Sequence, residues 1–309
     1  MARGNGVKWG IAIPQIFPES QVDMDLIREF VLRARALAYD SLWVQEHIEE
    51  RQPNVEPLAL LGYAAALNTG LHMGTSVLLS VFRNPVHLAK SFATLDRMLG
   101  GRLIVGIGLG AEPSLYPAFG IPPNRRVRRF TEGLEVMKAL WTEQTPSYSG
   151  DFWRLDGTVM EPKPVQKPHP PVWFGGRHTQ VLRRAVRLGD GWIGAGASST
   201  DVFRENVAEL RTILEQEGRD PATFPIAKRI YMALDSDKAR AERRLKEWFQ
   251  QRYANAEMAT RVTVWGGPQE CVDGIAAVIQ AGAQHLQINP VFDHMEHLEA
   301  LARDVIPHL

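Results

Sequence analysis

Eight short apolar runs alternate with amphipathic segments along the chain. Each run is continuous rather than alternating, which is typical of a strand covered on both faces, as in a parallel sheet enclosed by helices. The runs that predict strands are VKWGIAIP, SLWVQEH, HMGTSVLLS, RLIVGIGLG, VWFGG, GWIGAG, PIAKRIYMAL and HLQINPV. The segments between them carry apolar residues at helical spacing and predict a helix after each strand.

This alternation predicts one domain over residues 1–309 with the α/β fold of a (β/α)8 TIM barrel carrying loop insertions. Right-handed crossovers make barrel closure the simplest arrangement, and about 250 residues is a usual length for it. A doubly wound sheet with a small appended domain is the alternative. Three stretches interrupt the alternation: a proline-rich loop at 111–124, a short hairpin in SYSGDFWRL and an extended connector in MEPKPVQKPHPP.

Composition narrows the class of protein. Lys+Arg and Asp+Glu both number 35, so the net charge does not indicate binding to nucleic acid or to an anionic membrane. The one cysteine, Cys271, excludes an intrachain disulfide and a cysteine-based metal cluster, and we expect no metal site. The sequence also lacks the apolar stretch of a secretion signal and any run of about 18 apolar residues. We therefore expect a cytoplasmic protein.

The third and fourth strands indicate where a ligand would bind. The third closes on Thr75 and Ser76, and the fourth ends in Gly106, Gly108 and Gly110. Glycines at the carboxyl end of a strand let a flat ligand approach closely, and α/β proteins place their sites at that end. The spacing does not match the dinucleotide-binding fingerprint. Tight closure of the barrel is the alternative explanation for these glycines.

Two further segments carry candidate chemistry. Glu46 and His47 end the second strand, and a histidine there could deprotonate an alcohol or protonate a product because it titrates near neutrality. Residues 175–179, GGRHT, lead from the fifth strand into a helix. Backbone N–H groups at a helix N-terminus bind anions, so this turn is a candidate phosphate site. An ordinary turn with an exposed Arg177 is the alternative.

Six segments in register resemble the bacterial luciferase-like superfamily, and more closely its branch that uses coenzyme F420, a 5-deazaflavin. They are YDSLWVQEH, the long stretch TSVLLSVFRNPVHLAKSFATLDRMLGG with RLIVGIGLG, EPKPVQKPHPPVWFGG, LGDGWIGAG and GAQHLQINPV. The resemblance covers nearly the whole chain and implies a (β/α)8 barrel. It also implies an enzyme that moves a hydride between F420 and a small organic substrate, and a homodimer.

The resemblance further implies which residues serve the site. A non-prolyl cis peptide is expected at Ser76–Val77, against the ring of the cofactor. His47 and Glu46 are the expected catalytic pair, although aspartate is usual where this chain has Glu46. The expected cofactor contacts are Glu46, His47, Ser76, Val77, Gly108, Gly110, Gly175, Gly176, Arg177, Ala195 and Gly196.

Several departures bear on substrate and cofactor. The sugar-phosphate dehydrogenases of this branch carry a glutamate where this chain has Ala111, and Glu112 lies one residue later. They also carry a lysine just after the sixth strand, and the segment GAGASST has none. Both departures disfavour glucose 6-phosphate as the substrate. FMN-dependent members often have an arginine where this chain has Leu109, which favours F420 over FMN. An FMN-dependent monooxygenase using reduced flavin and O₂, and a non-catalytic flavin-binding barrel, stay as alternatives.

Four other patterns lead to further expectations. The tryptophans at 9, 43, 173 and 192 lie in predicted strands and are expected to pack in the barrel. His294 and His297 are expected on a solvated helix face. The arginines at 125, 126, 128 and 129 form a basic cluster, expected to be solvated or to contact the oligoglutamate tail of F420. Leu115, Tyr116 and Phe119 in the proline-rich loop suggest a partly apolar substrate.

Overall fold

The computed structural model describes residues 6–17, 21–47, 52–67, 70–110, 113–122 and 124–309, with the backbone alone for 113–115. Ala111 and Glu112, on which one of the substrate expectations depends, lie outside the described residues. Within the described part, no helix is both long enough and apolar enough to cross a lipid bilayer.

The predicted barrel strands form one sheet that closes on itself, and β6 and β7 form a separate two-stranded sheet. The strands of the described residues are β1 (Lys8–Ala12), β2 (Ser41–Val44), β3 (His72–Thr75), β4 (Leu78–Leu79), β5 (Leu103–Gly108), β6 (Ser147–Ser149), β7 (Arg154–Asp156), β8 (Val172–Gly175), β9 (Gly191–Gly194), β10 (Ile226–Leu234), β11 (Thr263–Gly266) and β12 (His285–Pro290). The order of hydrogen-bonded neighbours is β10-β12-β1-β2-β3-β5-β8-β9, and β9 pairs again with β10. The predicted (β/α)8 TIM barrel is therefore confirmed.

Helices follow the strands as the periodicity predicts. They are α1 (Met24–Ala36), α2 (Pro57–Leu67), α3 (Pro85–Met98), α4 (Arg126–Thr142), α5 (Thr179–Leu188), α6 (Thr200–Gln216), α7 (Lys238–Tyr253), α8 (Ala259–Val262), α9 (Pro268–Gln280) and α10 (His294–Ala300). Local sequence explains where they begin. The Asn84 side chain caps α3 by accepting hydrogen bonds from Val86 and His87 N–H, and Pro85 occupies the first turn, where it has no N–H to leave unpaired.

The structure departs from the predicted elements in four places. The third apolar run is not one strand, because a cis peptide at Ser76–Val77 separates β3 from β4; this bond confirms the expectation drawn from the family resemblance. Residues 113–119 of the predicted loop form a 3-10 helix. TVWG forms β11, which pairs with the end of β10. The last helix continues as a π-helix over Leu301–Val305. The predicted hairpin is confirmed as the antiparallel pair β6–β7.

The chain divides into two compact units, the first comprising Met1–Pro14, Asp23–Trp43 and Phe174–Leu309. In this first unit, Ser41 links two buried rings: its hydroxyl contacts His285 Nε2 at 2.7 Å and accepts a hydrogen bond from Trp43 Nε1 at 2.8 Å. The four strand tryptophans are all at most 5% exposed, which confirms that they pack in the core.

The prediction that His294 and His297 lie on a solvated helix face is wrong, because both rings are shielded from solvent. His297 is 3% exposed, and its Nε2 accepts a hydrogen bond from Leu234 N–H at 2.8 Å. Its Nδ1 faces the Asp293 carbonyl at 2.9 Å. These contacts make His297 a packed core histidine that joins α10 to the end of β10.

The second unit comprises Gln15–Val22 and Val44–Trp173. Its proline-rich connector is held by one buried carboxylate, that of Asp96 in α3. Asp96 Oδ2 accepts hydrogen bonds from Val165 N–H at 2.8 Å and Gln166 N–H at 3.0 Å, and Oδ1 accepts one from Gln166 Nε2 at 2.7 Å. The connector can therefore follow one path without secondary structure of its own, because its backbone donors are satisfied.

Candidate active site

In the second unit, backbone hydrogen bonds join the carboxyl ends of β2, β3 and β5. Ser76 N–H donates to the Val44 carbonyl at 2.7 Å, and Glu46 N–H donates to the Val77 carbonyl at 3.3 Å. Beyond the cis peptide, Leu78 and Leu79 pair with Ile107 and Gly108 of β5. The structure thus brings together Glu46, Ser76, Val77 and Gly108 from the predicted site.

The side chain of Glu46 anchors the same segment. It is fully shielded from solvent, and its Oε2 accepts a hydrogen bond from Leu79 N–H. Its Oε1 accepts hydrogen bonds from Arg83 Nε at 3.0 Å and from Arg83 Nη2. The same Nη2 also binds Glu56, at 2.6 Å. Arg83 therefore bridges the end of β2 and the residue that precedes α2.

Burial raises the pKa of Glu46 above its usual range, and Arg83 offsets only part of that increase. Burial alone would lower the pKa of Arg83, but Glu46 and Glu56 raise it overall. The two-pronged contact with a guanidinium indicates an ion pair at neutral pH. With its carboxylate occupied in this way, Glu46 is suited to fix the backbone around His47 rather than to move a proton.

The two remaining residues predicted for this part of the site lie beside the same segment. His47 directly follows Glu46 and is half-buried. Gly110 has a φ of +72°, which favours glycine, and a Cβ there would lie 3.3 Å from a methyl group of Leu79. Whether His47 exchanges a proton with a substrate depends on a ligand bound beside it, so its catalytic role stays a prediction.

An aromatic cluster lies close to these residues. The ring of Phe82, directly before Arg83, lies 4.8 Å from the Tyr116 ring and 4.7 Å from the Phe119 ring. Tyr116 also donates a hydrogen bond to the Leu109 carbonyl at 3.3 Å. The cluster therefore attaches the loop after β5 to the segment that carries the cis peptide.

Gln15 joins three backbone segments at this end of the second unit. Its Nε2 donates to the Gln45 and Val55 carbonyls, both at 2.6 Å, and its Oε1 accepts from Gln45 N–H at 2.9 Å. This holds the loop at Asn54 next to the end of β2. Both polar atoms of the Asn54 carboxamide are buried and have no hydrogen-bond partner among the residues described, which is unusual for a buried polar group.

In the first unit, the glycine turn after β8 packs against β9. Gly176 N–H donates to the Ile193 carbonyl at 3.4 Å, and its own carbonyl accepts a hydrogen bond from Trp192 Nε1 at 2.8 Å. Gly176 has a φ of +141°, and a Cβ would lie 2.9 Å from Val181. Gly175 is half-buried and Arg177 is exposed, just ahead of α5. Because Gly176 N–H is engaged, an anion would have to use the N–H groups of the first turn of α5.

The loop after β9 is held by a buried lysine from β10. Lys228 is 3% exposed, and its ammonium donates to the Ala195 carbonyl and, at 3.0 Å, to both the carbonyl and the hydroxyl of Ser198. Burial, and then the charge of Arg229, lower the pKa of Lys228 to about 7. A Cβ on Gly196 would lie 2.5 Å from Arg229 Nε, so only glycine fits there.

Sequence reasoning missed Arg83, Glu56, Lys228 and Asn54. A signal existed for Lys228, because a charged residue inside the continuous apolar run PIAKRIYMAL must be paired if that run is buried. No comparable signal marked Arg83, whose partners lie 37 and 27 residues away in the sequence. Among the described residues, no group of three or more His, Cys, Asp or Glu side chains could hold a metal ion.

Comparison with known proteins identifies the family. The sequence profile of the family described as luciferase-like monooxygenase matches residues 12–285. The chain belongs to this family. The sequence resemblance is thereby confirmed, and with it the prediction of an enzyme of this family.

Relatives span most of the chain. The uncharacterized protein Rv0953c of Mycobacterium tuberculosis is 33% identical over 75% of this chain and 76% of its own. The F420-dependent glucose-6-phosphate dehydrogenase of Kineococcus radiotolerans is 28% identical over 92% of each chain. Among solved structures, an F420-dependent secondary alcohol dehydrogenase in complex with an F420-acetone adduct has a TM-score of 0.85 at 22% identity, covering 97% of this chain and 99% of its own.

Proposed function

We propose that this family member is an F420-dependent oxidoreductase that transfers a hydride between the deazaflavin and a small, partly apolar organic substrate. The observation that carries the proposal is the match to a relative named for F420 dependence over 92% of both chains. Leu109 supports the same cofactor, since FMN-dependent luciferase-type enzymes often carry an arginine at the corresponding position.

The donors and acceptors of the second unit fit a deazaflavin ring. A flat tricycle needs a surface free of protruding side chains and groups complementary to its imide edge, which offers one N–H and two carbonyls. Gly108, at the end of β5, is the residue that we propose for this surface, because the side of Gly110 on which a Cβ would lie faces Leu79 and Phe82. The unpartnered carboxamide of Asn54 offers one donor and one acceptor in a buried position. We propose that Asn54 binds the imide edge and that the first turn of α5 binds the phosphate of the tail.

When bound, F420 supplies a ring carbon that accepts or releases a hydride. A substrate alcohol that loses a hydride from carbon must also lose a proton from oxygen, and His47 is the group proposed to take that proton on an imidazole nitrogen. The contacts of Glu46 with Arg83 and with the Val77 carbonyl fix the backbone next to His47. Glu46 and Arg83 are positioning residues in this proposal.

Two separate features, one in each unit, support a substrate that is small and partly apolar. Phe82, Tyr116 and Phe119 present aromatic surface. The GAGASST loop has no lysine, and the nearby Lys228 already donates to three oxygen atoms of that loop. These features favour a small alcohol, aldehyde or ketone with an apolar substituent over a sugar phosphate.

The test begins with binding, because binding does not require a known substrate. Purified protein is titrated into F420 and, separately, into FMN, and quenching of each cofactor's fluorescence gives Kd. We expect F420 to bind at least about tenfold more tightly than FMN, and Asn54→Ala to weaken F420 binding about tenfold, because one buried hydrogen-bonded pair is worth about 1–1.5 kcal/mol. Tighter binding of FMN than of F420 would overturn the cofactor assignment in favour of a flavin-dependent activity.

Turnover is then measured by the change in deazaflavin absorbance with a panel of secondary alcohols, and with matching ketones for the reduced cofactor. We expect His47→Ala to lower kcat by about 10²-fold or more while F420 still binds, because general acid–base groups contribute on the order of 10²–10⁴-fold. Unchanged turnover in His47→Ala would refute its role in proton transfer. Binding of F420 with no turnover on any panel member would support a binding protein instead.

A further inference from the structure

A small cleft lies in the second unit where α3, α4 and the β6–β7 hairpin meet, apart from the residues proposed to bind the cofactor. Its enclosed part has room for about one water-sized group, and the rest of the cleft opens to solvent. Val81, Leu88, Phe130 and Met137 supply apolar lining, whereas the polar atoms come from Ser80, Arg83, Arg129 and Trp153. The Arg83 guanidinium is already paired with Glu46 and Glu56. The cleft thus combines an apolar wall with a cationic group.

Arg129 is the arginine of the basic cluster that lines the cleft. Arg125 pairs with Asp151, and Arg128 pairs with Glu132 at 2.6 Å. Arg126 also has no carboxylate partner among the described residues, but it interacts with the Tyr116 hydroxyl. Arg129 has no carboxylate partner in the described part of the chain, and burial lowers its pKa. A partly buried guanidinium without an anion is costly, so this charge favours an anionic ligand.

Two buried N–H groups in the cleft lack acceptors. Arg129 Nε and Trp153 Nε1 are both shielded from solvent, and neither has a hydrogen-bond partner within the described residues. The Arg129 guanidinium lies over the indole of Trp153, 4.6 Å from its centroid. Stacking on a ring leaves the edge of a guanidinium available for hydrogen bonds in its plane. The cleft therefore presents a cationic N–H edge beside a neutral N–H donor.

The hairpin is fixed in place, which makes this pair of donors preorganised. The buried carboxylate of Glu132 in α4 accepts hydrogen bonds from Asp151 N–H at 3.0 Å and Phe152 N–H at 2.8 Å. Burial would raise the pKa of Glu132, but these N–H groups and Arg128 outweigh it and lower the pKa overall. Glu132 thus stays ionised and holds Trp153 against Arg129.

We propose that this cleft binds the carboxylate group of a small organic acid. One carboxylate oxygen would accept the Arg129 guanidinium edge and the other the Trp153 indole N–H, while the carbon chain would lie on the apolar wall. Carboxylates suit this site because a hydrogen bond between a guanidinium and a carboxylate is charge-assisted and stronger than one between neutral groups. Two sources offer such a group: a free organic acid, and the glutamate tail of the proposed cofactor.

The test observes Trp153 directly. The eight tryptophans give eight indole N–H signals in a proton–nitrogen correlation spectrum of the full-length protein, and Trp153→Phe identifies the one concerned. Glutarate and acetate are added at constant ionic strength, with chloride as the reference anion. We expect the Trp153 signal to move downfield and to become protected from exchange with glutarate, with no comparable change from chloride.

Gly133 offers a variant that fills the cleft without disturbing the fold. A Cβ at Gly133 would lie 3.7 Å from Pro85 Cβ and 3.8 Å from Trp153 Nε1, both ordinary contacts. Alanine also favours a helix over glycine by about 1 kcal/mol. We expect Gly133→Ala to abolish the glutarate response with no loss of thermal stability. Arg129→Gln should weaken it at least about tenfold, whereas Arg125→Gln, in the exposed pair with Asp151, should leave it unchanged.

Separate arms distinguish the two sources of the carboxylate. F420 with its glutamate tail and the same deazaflavin without glutamates are each added, and Trp153 is followed together with cofactor fluorescence. A response to glutarate alone assigns a free acid, and a response to the tailed cofactor alone assigns the tail. No Trp153 response in any arm, or an equal one with chloride, overturns the proposal. Failure of F420 to bind would contradict the proposed function while leaving the glutarate result valid.

Discussion

Replacing Arg83 by methionine tests the interpretation of the Glu46 contact. The substitution keeps an unbranched apolar stem and removes the cation that bridges Glu46 and Glu56. Glu46 is fully shielded from solvent, whereas 25% of the Arg83 side chain and 47% of the Glu56 side chain are exposed. The two carboxylates should therefore respond differently: Glu56 can be solvated, but Glu46 keeps only the Leu79 N–H.

The magnitude follows from this asymmetry. Leaving one charge of a buried pair without its partner costs about 3–5 kcal/mol in the free energy of unfolding, so we expect Arg83→Met to lose that amount. Glu46→Gln should lose only about 1–2 kcal/mol, because Arg83 keeps Glu56 and the amide oxygen can still accept a hydrogen bond. The double variant holds no buried charge and should be more stable than Arg83→Met alone.

Urea unfolding of the four proteins, followed by far-UV circular dichroism, gives the coupling free energy. We expect a coupling of about 2–3 kcal/mol in the double-mutant cycle. Arg125→Met serves as the matched control: its exposed pair with Asp151 should contribute less than about 1 kcal/mol. The reasoning is refuted if Arg83→Met costs no more than this control, or if the double variant loses the sum of the two single losses.

The pH dependence gives a second readout of the same variant. Burial raises the pKa of Glu46, and loss of Arg83 acts in the same direction. A carboxyl group whose pKa is higher in the folded state than in the unfolded state destabilises the folded state when it is ionised. The free energy of unfolding therefore decreases as pH rises toward the folded-state pKa. The deficit of Arg83→Met relative to wild type should therefore be smaller at about pH 5 than at about pH 7.5.

Three further predictions concern groups outside the site. Burial lowers the pKa of His294 to about 4, so as pH falls the unfolded chain is protonated at this residue before the folded protein is. The free energy of unfolding of wild type should therefore decrease by about 2 kcal/mol between about pH 7.5 and pH 5, and this decrease should be absent in His294→Gln. Equal decreases for the two proteins in urea unfolding would contradict this. Burial raises the pKa of the Cys271 thiol to about 12, so a disulfide reagent should label it only after denaturation; rapid labelling of native protein would disprove its burial. Asp96→Asn places an amide N–H₂ against backbone N–H donors and should lower the free energy of unfolding by about 3 kcal/mol. A thermal midpoint equal to that of wild type would contradict this.

Much of the fold could be predicted because its signal is local and repeated. Continuous apolar runs such as RLIVGIGLG follow from burial on both faces, and each is separated from the next by a helical period, so the barrel follows from counting. The break in HMGTSVLLS could not be derived from periodicity, since apolar residues continue through it. The family resemblance supplied the cis bond at Ser76–Val77.

The site was less predictable because its contacts join distant parts of the sequence. The role predicted for Glu46 at the cofactor stays a prediction, but its contacts with Leu79 N–H and Arg83 could not be derived from the sequence. The spacing of residues along a strand shows which face they share and not which charges meet across a loop. The basic cluster illustrates the same limit: four arginines look equivalent in the sequence, but Asp151 and Glu132 pair with Arg125 and Arg128 and leave Arg126 and Arg129 without a carboxylate among the described residues.

The hairpin has a consequence for building chimeras between members of this family. A Cβ at Gly150 would lie 2.3 Å from Glu132 Oε2, so the turn of the hairpin and the carboxylate in α4 are matched to each other. An insert with any larger residue at the position of Gly150 would clash with that carboxylate, and an insert with a different turn would leave Glu132 buried without its two backbone donors. Recombination boundaries should therefore be drawn before α4, so that helix and insert are inherited together.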